Sequence, residues 1–583
     1  MATETKVQEL VHRLEEGRWA KWVKLAVLIG AIAFVTSLWF FRDAGFKGLS
    51  HPLAMDQAQI AREIARGNGF TTKFIRPAAL WQFEKNKGAF PLEKTPDTFH
   101  APLNPFINSL FIQLAEHTWT MTTKELVYPS DQIIAGVSIT FFLLGVLMFY
   151  LVARRLFDHR LALLGTGLLL ACQTFWDFAL SGLPQMLLLF LFGLASYTLV
   201  RAMEAKYANK RATFWLAGTA LSFGLMALTH GLTIWMFIGA LIFAALFFRP
   251  LGRDAAVMLG IFLLCYTPWM VRNYKVCGSP VGLGWFSGLY QVRGTDSAIM
   301  RSMDVSLTGV SPTVFRQKIQ GQVLFQFSNI YDFLGSVLLA PVFFVALLHL
   351  FKRPETAMLR WCVLLMWLSA LLGMSIFGFP EDAAAHVRAN DLHILFVPLM
   401  TFYGLALILV MWTRLELNYR LVRIGFIGLL YLVSGAPFLQ QLTVLLGPPR
   451  LPWHWPPYIP PYIAILNTWT DDKEIIASDM PWAVAWYADR KSLWIPMTIK
   501  DFLSLNDNNK LSGRIVGLYL TPITGNKAFI SEVVKGEYRE WTPFITRRLE
   551  TLRDFPLKAA TPLPKDSECV FFADRDRWTA RED

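Results

Sequence analysis

The sequence predicts a polytopic α-helical membrane protein of about eleven spans, with a small α/β domain at its C-terminal end. Three observations predict it. Of the 583 residues, 54% are hydrophobic and 14% aromatic, and the mean hydropathy is +0.39. Charge collects in clumps between long apolar runs instead of being spread over a water-facing surface. The loops between those runs alternate between basic and non-basic, as loops on opposite sides of a bilayer do.

The apolar runs lie at 25–41, 131–153, 161–176, 184–200, 212–229, 232–248, 255–271, 331–351, 358–378, 391–412 and 422–446. Most approach the roughly 20 residues that a crossing helix needs. The first and third are short. A charged segment through Lys24 precedes the first run, Trp39, Phe40, Phe41 and Arg42 close it, and no small-residue cleavage site follows. That pattern predicts a retained span in place of a cleaved leader.

The loops fix the orientation. Arg13, Arg18, Lys21 and Lys24 place the N-terminus inside. Every second connection is then basic: Arg154, Arg155 and Arg160; Arg201, Lys206, Lys210 and Arg211; Arg249 and Arg253; Lys352, Arg353 and Arg360; Arg414, Arg420 and Arg423. An odd number of spans puts the C-terminus outside. The same loops account for the net charge of +12, so nucleic acid is not expected as a partner and membrane lipids are.

Residues 1–446 form the expected membrane domain, including a large first outer loop at 42–130. Residues 447–583 form the outer domain. Its α/β character rests on strand-like stretches at Glu474–Ser478, Arg514–Leu520 and Glu568–Ala573. Asp479 is placed to cap a helix beginning at Pro481. The Trp- and Tyr-rich junction Pro452–Tyr462 suits the headgroup level. Cys172, Cys265 and Cys362 fall in apolar runs as packing residues, and no cysteine has metal-ligand spacing. Cys277 and Cys569 both fall outside, where a disulfide between them is compatible with the compartment.

The first loop carries the most chemistry. From His51, Leu53, Ile60 and Ile64 recur at helical spacing and Gly67 and Gly69 end the pattern. This is an amphipathic helix expected along the membrane surface, with Asp56 near its start. Asp56 has two readings: a carboxylate favoured by the helix dipole, or a base close to the bilayer. Farther on, His100-Ala101-Pro102-Leu103 suggests a turn onto the membrane surface. Pro268-Trp269-Met270-Val271-Arg272-Asn273 ends the seventh run, where Arg272 can also act as a snorkelling anchor. Asp177 and His230 lie in very short outer connections, and His386, Arg388, Asp391 and His393 cluster before the tenth run. For these the plain alternative is a solvated loop. The described motifs include no repeat and no Gly-rich phosphate loop.

Taken together these motifs resemble the GT-C superfamily of membrane glycosyltransferases, in its protein-mannosyltransferase and aminoarabinose-transferase-like branch. Asp56 matches the acidic residue that follows the first span. His100-Ala101-Pro102-Leu103 is similar to that branch's His-Pro-Pro-Leu motif, with Ala101 in place of the first proline. Pro268-Trp269-Met270-Val271-Arg272-Asn273 is similar to its Pro-Trp-x-x-Arg-Asn signature, and Ser478–Arg490 to the outer domains of many bacterial members. The resemblance implies a GT-C-like fold in a bacterial cytoplasmic membrane. It also implies transfer, with inversion, of a sugar from a polyprenyl-phosphate donor to a lipid, glycan or protein acceptor at the outer face. Asp56 is then the expected base and Asp177 a second catalytic carboxylate. Lys73, Arg76, His100, His230, Arg272 and Arg388 are expected to bind substrate, cations being needed as charge develops on a leaving phosphate. Gln57 and Gln185 stand where the family often has acids. No metal is assigned, although a divalent cation is compatible with the chemistry. A transporter or flippase of a lipid-linked substrate and a non-catalytic envelope scaffold are the competing readings. The Asp and Glu of the runs fall near their ends and no paired discontinuous segments are evident in the sequence, which weighs against the first.

Overall fold

A computed structural model describes residues 46–578, with residues 30, 32, 33, 36 and 37 ahead of them, apart from 87–89, 117–118, 249–251, 306–309, 380–386, 415–419, 446–459, 508–510, 512, 522–534, 546–554 and 564–568. Most of the expected first span, the junction at Pro452–Ile459 and His386 lie outside the described residues.

The first loop opens with α1 (Pro52–Ala65), followed by β1 (Phe74–Ile75), α2 (Pro77–Asn86) and α3 (Leu103–Gln113). Pro52 occupies the first turn of α1, where its missing N–H costs nothing, and the His51 ring accepts from Leu53 N. The membrane part then runs through α4 (Pro129–Leu156), α5 (His159–Leu170), α6 (Gln173–Ser181), α7 (Gln185–Tyr207), α8 (Thr213–Ala227), α9 (Thr233–Phe247) and α10 (Arg253–Cys277). After a 3-10 turn at Gly284–Leu289 come α11 (Pro312–Ser328), α12 (Pro354–Phe377), α13 (His393–Arg414) and α14 (Arg420–Leu445).

Five of these helices, α4, α7, α10, α12 and α13, are long and apolar enough to cross a bilayer, and the bent pair α5–α6 makes a sixth. α8, α9 and the 424–440 part of α14 are shorter apolar helices. Two expectations are corrected. The third run is two helices meeting at 57°. The eighth, 331–351, is not one helix: among its described residues only Ile330–Phe333 and Val342–Ala346 are helical, with turns between. Leu334, Val337, Leu339, Ala340 and Phe343 there are buried. A non-helical backbone at membrane depth is tolerated where protein surrounds it. Hydropathy alone does not distinguish such a segment from a straight span.

Side chains such as Leu246, Leu263 and Leu264 stay exposed on the helices, as lipid-facing positions do in a chain with no water to exclude there. Small residues let α4 and α7 approach closely. A Cβ on Gly145 would meet Leu189 and one on Gly193 would meet Met148.

The tail adds β2 (Ile475–Ser478), β3 (Lys491–Trp494), α15 (Ile499–Asp507), β4 (Ile515–Leu520), β5 (Ala559–Pro562) and β6 (Val570–Ala573). The sheet order is β1-β3-β2-β4-β6-β5. The first four are parallel and the last pairings antiparallel. β1 comes from the first loop, with Phe74 opposite Ser492 and Ile75 opposite Leu493. The tail's sheet is therefore completed by the two-residue strand Phe74–Ile75, which ties the first loop to the tail by hydrogen bonds. β2 is buried at all four positions, as a central parallel strand should be.

Three further expectations change. Helix α1 does not lie on an open membrane surface, because every residue from Ala54 to Glu63 is buried between the spans and the tail. Asp479 does not cap the helix at Pro481. Its Oδ2 accepts from Thr521 N and Oγ1 at the end of β4, while the Pro481 turn has no side-chain cap and runs on as a π-type turn at Val484–Ala488. Cys277 and Cys569 are both free thiols. The Cys277 Sγ donates to Asn273 O within its own helix end.

Candidate active site

Asp56 is the fifth residue of α1, past the first turn, which contains no acidic residue. The dipole reading therefore loses its geometric basis. The carboxylate is fully buried and both of its oxygens are engaged. Oδ1 accepts from Gln59 Nε2 at 3.1 Å. Oδ2 faces His100 Nε2 at 2.6 Å and is held in a close ion pair by Arg76 Nη2. Burial by itself would raise the Asp56 pKa, but Arg76 and His100 outweigh it and bring the group down to about 2. Asp56 is thus an ionised anchor for a cation and an imidazole.

Each partner is placed by its own element. Arg76 is the residue after β1, at the carboxyl end of a parallel strand, where open α/β sheets present their functional groups. Its guanidinium lies between the rings of Phe74 and Phe99, at 4.1 and 4.3 Å. Gln59 also holds Thr72 Oγ1 and Lys73 N, which fixes the turn into β1. His100 is positioned by Asp97, whose Oδ2 accepts from Phe99 N and His100 N at 3.1 and 2.7 Å and whose Oδ1 stands 3.7 Å from Arg76. This is an Asx-type turn.

Arg272 reaches the same loop from the C-terminal end of α10. It donates to Asp97 O at 2.5 Å, Phe70 O at 3.2 Å and Asn273 Oδ1 at 2.9 Å. The guanidinium sits against the rings of Phe70 and Trp269. The Pro-Trp-x-x-Arg-Asn stretch is therefore a clamp on the backbone that carries Asp97 and His100.

His230, in the turn between α8 and α9, stands beside His100. Desolvation lowers its pKa to about 4, with His100 pushing the same way against hydrogen bonds to Asn390 and Ala389. The ring is neutral, and its Nδ1 accepts from Leu232 N. Ala389 O and Arg388 O in turn accept from Gln185 Nε2 at 2.6 and 3.3 Å. The Arg388 guanidinium lies over Phe333 at 4.8 Å.

The structure thus gathers Asp56, Arg76 and His100 into one cluster with His230 against it. It does not gather Lys73, which pairs with Asp489 of the tail at 2.6 Å. Asp177 is not in a loop but on α6, half-buried, and it is not among the hydrogen-bond partners of Asp56. Sequence reasoning missed Gln59, Asp97 and Asp296. Asp97 had a signal, since an Asp three residues before a His in Pro96-Asp97-Thr98-Phe99-His100 is a turn former. Asp296 had none. It starts a short helix in the 278–310 loop, with Arg76 and Lys318 acting on its charge, and burial raises its pKa. The Nζ of Lys318 donates to Gly288 O and Ile376 O at 2.8 and 2.6 Å.

Among the described residues no group of three or more His, Cys, Asp or Glu side chains converges on a metal position. Gln57 Oε1 accepts from Asn104 Nδ2 and Gln185 binds backbone carbonyls, so the two positions where the family often carries acids hold neutral amides with protein partners. These residues do not fit a cation held by a carboxylate pair.

A family model described as dolichyl-phosphate-mannose-protein mannosyltransferase matches residues 100–271, from the cluster histidine to the residue before Arg272. The crystal structure of ArnT from Cupriavidus metallidurans in the apo state superposes with a TM-score of 0.53 at 14% identity, covering 95% of this chain and 98% of that one. The chain has the GT-C fold. The same ArnT bound to undecaprenyl phosphate matches with a TM-score of 0.52 at 14% identity over the same shares of both chains. The oligosaccharyltransferase of Archaeoglobus fulgidus tethered with an acceptor peptide gives a TM-score of 0.49 at 12% identity, covering 87% and 69%. No curated protein matches by sequence. The GT-C resemblance read from Asp56, His100, Arg272 and the tail is borne out, as is the helical fold with a small C-terminal sheet.

Proposed function

We propose that the protein is a glycosyltransferase that moves a sugar from a polyprenyl-phosphate donor to an envelope acceptor, inverting the anomeric centre. The observation that carries this reading is the buried Asp56–Arg76–His100 cluster, set at the carboxyl end of β1 and clamped by Arg272 within a GT-C fold. Asp56 is the carboxylate that drives removal of the acceptor's proton. Arg76 supplies positive charge where the phosphate leaves. The ArnT structure with undecaprenyl phosphate supports a lipid phosphate as the leaving group. The multi-pass topology and the basic loops support a cytoplasmic-membrane protein with its N-terminus inside and its tail outside. In this reading His230 and Arg388 contact the substrate, and Asp177 is a second catalytic carboxylate.

The test is release of undecaprenyl phosphate by purified protein given a panel of undecaprenyl-phosphate sugars with and without envelope extracts as acceptors. Release that requires both donor and acceptor, and that Asp56→Asn abolishes while the protein still folds, is the expected result. Wild-type turnover in Asp56→Asn would remove Asp56 from the chemistry. Movement of intact donor across vesicles without release would instead identify a transporter.

A further inference from the structure

Asp56 cannot easily take a proton itself. Both of its oxygens are occupied by three donors, it is fully buried, and Arg76 stabilises its charged form. A base needs an open lone pair and a proton affinity near the working pH. His100 offers the first. Its Nε2 faces Asp56 Oδ2 at 2.6 Å. Because the carboxylate is ionised, that nitrogen carries the proton and donates it, which leaves Nδ1 as the bare acceptor. Among the described residues nothing hydrogen-bonds to Nδ1. The His100 side chain is 4% exposed, and it is held from three sides. Asp97 fixes the backbone N–H, Asp56 fixes Nε2, and the Phe99 ring packs edge-on at 5.0 Å.

We infer that His100, oriented by Asp56, is the group that takes the acceptor hydroxyl's proton, at Nδ1. The inference rests on the proposed function and sharpens its proton step. The acceptor oxygen forms its bond to the anomeric carbon as the bond from that carbon to the phosphate oxygen breaks. The electron pair of the broken bond leaves with polyprenyl phosphate, beside Arg76. The hydroxyl proton passes to His100 Nδ1. The imidazolium formed is paired with Asp56, whose charge is thus used after the proton moves as well as before. This is the logic of an Asp–His pair in which the carboxylate orients the ring and stabilises its charged form without itself being protonated.

The charged and titratable groups around His100 come from every neighbouring element. Asp56 comes from α1, Arg76 from the end of β1, Asp97 from its own turn and His230 from the α8–α9 turn, with Asp296 beyond Arg76. The ring thus lies between the Asp56 carboxylate and the neutral His230, with the Arg76 guanidinium paired to that carboxylate.

The experiment compares wild type, His100→Gln and His100→Ala in acceptor-dependent release of undecaprenyl phosphate from an undecaprenyl-phosphate sugar. Binding of undecaprenyl phosphate alone reports on whether the variants fold. Turnover of His100→Gln is expected to fall by about 10²–10⁴-fold with product-lipid binding unchanged. An ascending limb of kcat/KM with pH in the wild type is expected to be absent from the variant's residual rate. Added imidazole is expected to restore part of the turnover of His100→Ala. A His100→Gln protein that turns over like wild type, or that keeps the same ascending pH limb, overturns the role of His100 alone. A wild-type protein that releases no undecaprenyl phosphate from any donor overturns the proposed function, and this proton step with it.

Discussion

Arg62 of the first loop and Asp489 of the tail meet at 2.9 Å, both side chains almost wholly buried. Asp489 also receives both guanidinium nitrogens of Arg66, at 2.9 and 2.7 Å, and the ammonium of Lys73 at 2.6 Å. Burial alone would raise its pKa, but three cations hold it well below the usual carboxylate range. Its backbone is left-handed, with φ 55, and Arg62 extends the joint by donating to the carbonyls of Ala485 and Trp486 at 2.7 Å each. The first loop and the tail are thus joined by charge as well as by the β1–β3 pairing.

Asp489→Asn keeps the shape and removes the charge, stranding three cations. Breaking a buried pair from one side costs roughly 3–5 kcal/mol. A lower melting temperature in detergent is expected, together with earlier proteolysis in the tail than in the spans. An unchanged melting curve would mean that the joint is not a determinant of stability.

Acid dependence follows from Asp56. Its pKa is about 2 in the fold against an ordinary value of about 3.9. A depressed carboxylate contributes stability in full above the ordinary value, and the contribution is lost as pH falls through the folded one. The unfolded chain binds the proton first, so acid pulls the equilibrium toward it. Wild type is therefore expected to lose stability between about pH 4 and pH 2. Asp56→Asn should start from a lower plateau and show a shallower acid slope in that window. Equal slopes in parallel thermal melts across the pH series would contradict the assignment.

Arg272→Lys separates charge from geometry. The guanidinium reaches Asp97 O, Phe70 O and Asn273 Oδ1 while lying against two rings. A lysine keeps the charge but lacks the planar fork. If Arg272 acts as a clamp on the His100 turn, the lysine variant loses most turnover while undecaprenyl phosphate still binds. If Arg272 binds the lipid phosphate directly, lysine should preserve much of the activity and alanine should raise the dissociation constant for undecaprenyl phosphate.

The fold was legible where hydropathy and charge act over long stretches. Basic loops and apolar runs located α4, α7, α10, α12 and α13, and the strands β2, β4 and β6 stood out as short apolar runs. The broken 331–351 segment read as a span because burial in protein and burial in lipid select the same residues. The site was legible only in part. Asp56, Arg76 and His100 converge as residue types that suit the chemistry. Lys73 and Arg272 were expected at the substrate because in sequence a cation looks the same whether it meets a phosphate, a carboxylate such as Asp489 or a backbone carbonyl such as Asp97 O. What separates them is tertiary: β1 is two residues long, and strand alternation sends Arg76 toward α1 and Lys73 toward the tail. No local pattern announces a strand that short.

Asp131, in the first turn of α4, accepts from Trp486 Nε1 at 2.7 Å and Tyr487 OH at 3.0 Å. It is fully buried, so the tail's π-type turn hangs on a carboxylate that belongs to a span. Replacing it by alanine leaves both donors without that acceptor, at about 1–3 kcal/mol for each buried group left unsatisfied. Asparagine keeps one carbonyl oxygen and can still accept from one of them. The expected order of stability is wild type, Asp131→Asn, Asp131→Ala, read from thermal melts in detergent. Trp486→Phe removes the indole donor, so its effect and that of Asp131→Asn should not add. A double-mutant cycle should return a coupling of about 0.5–3 kcal/mol, and additive losses would show that the contact does not join the two halves energetically.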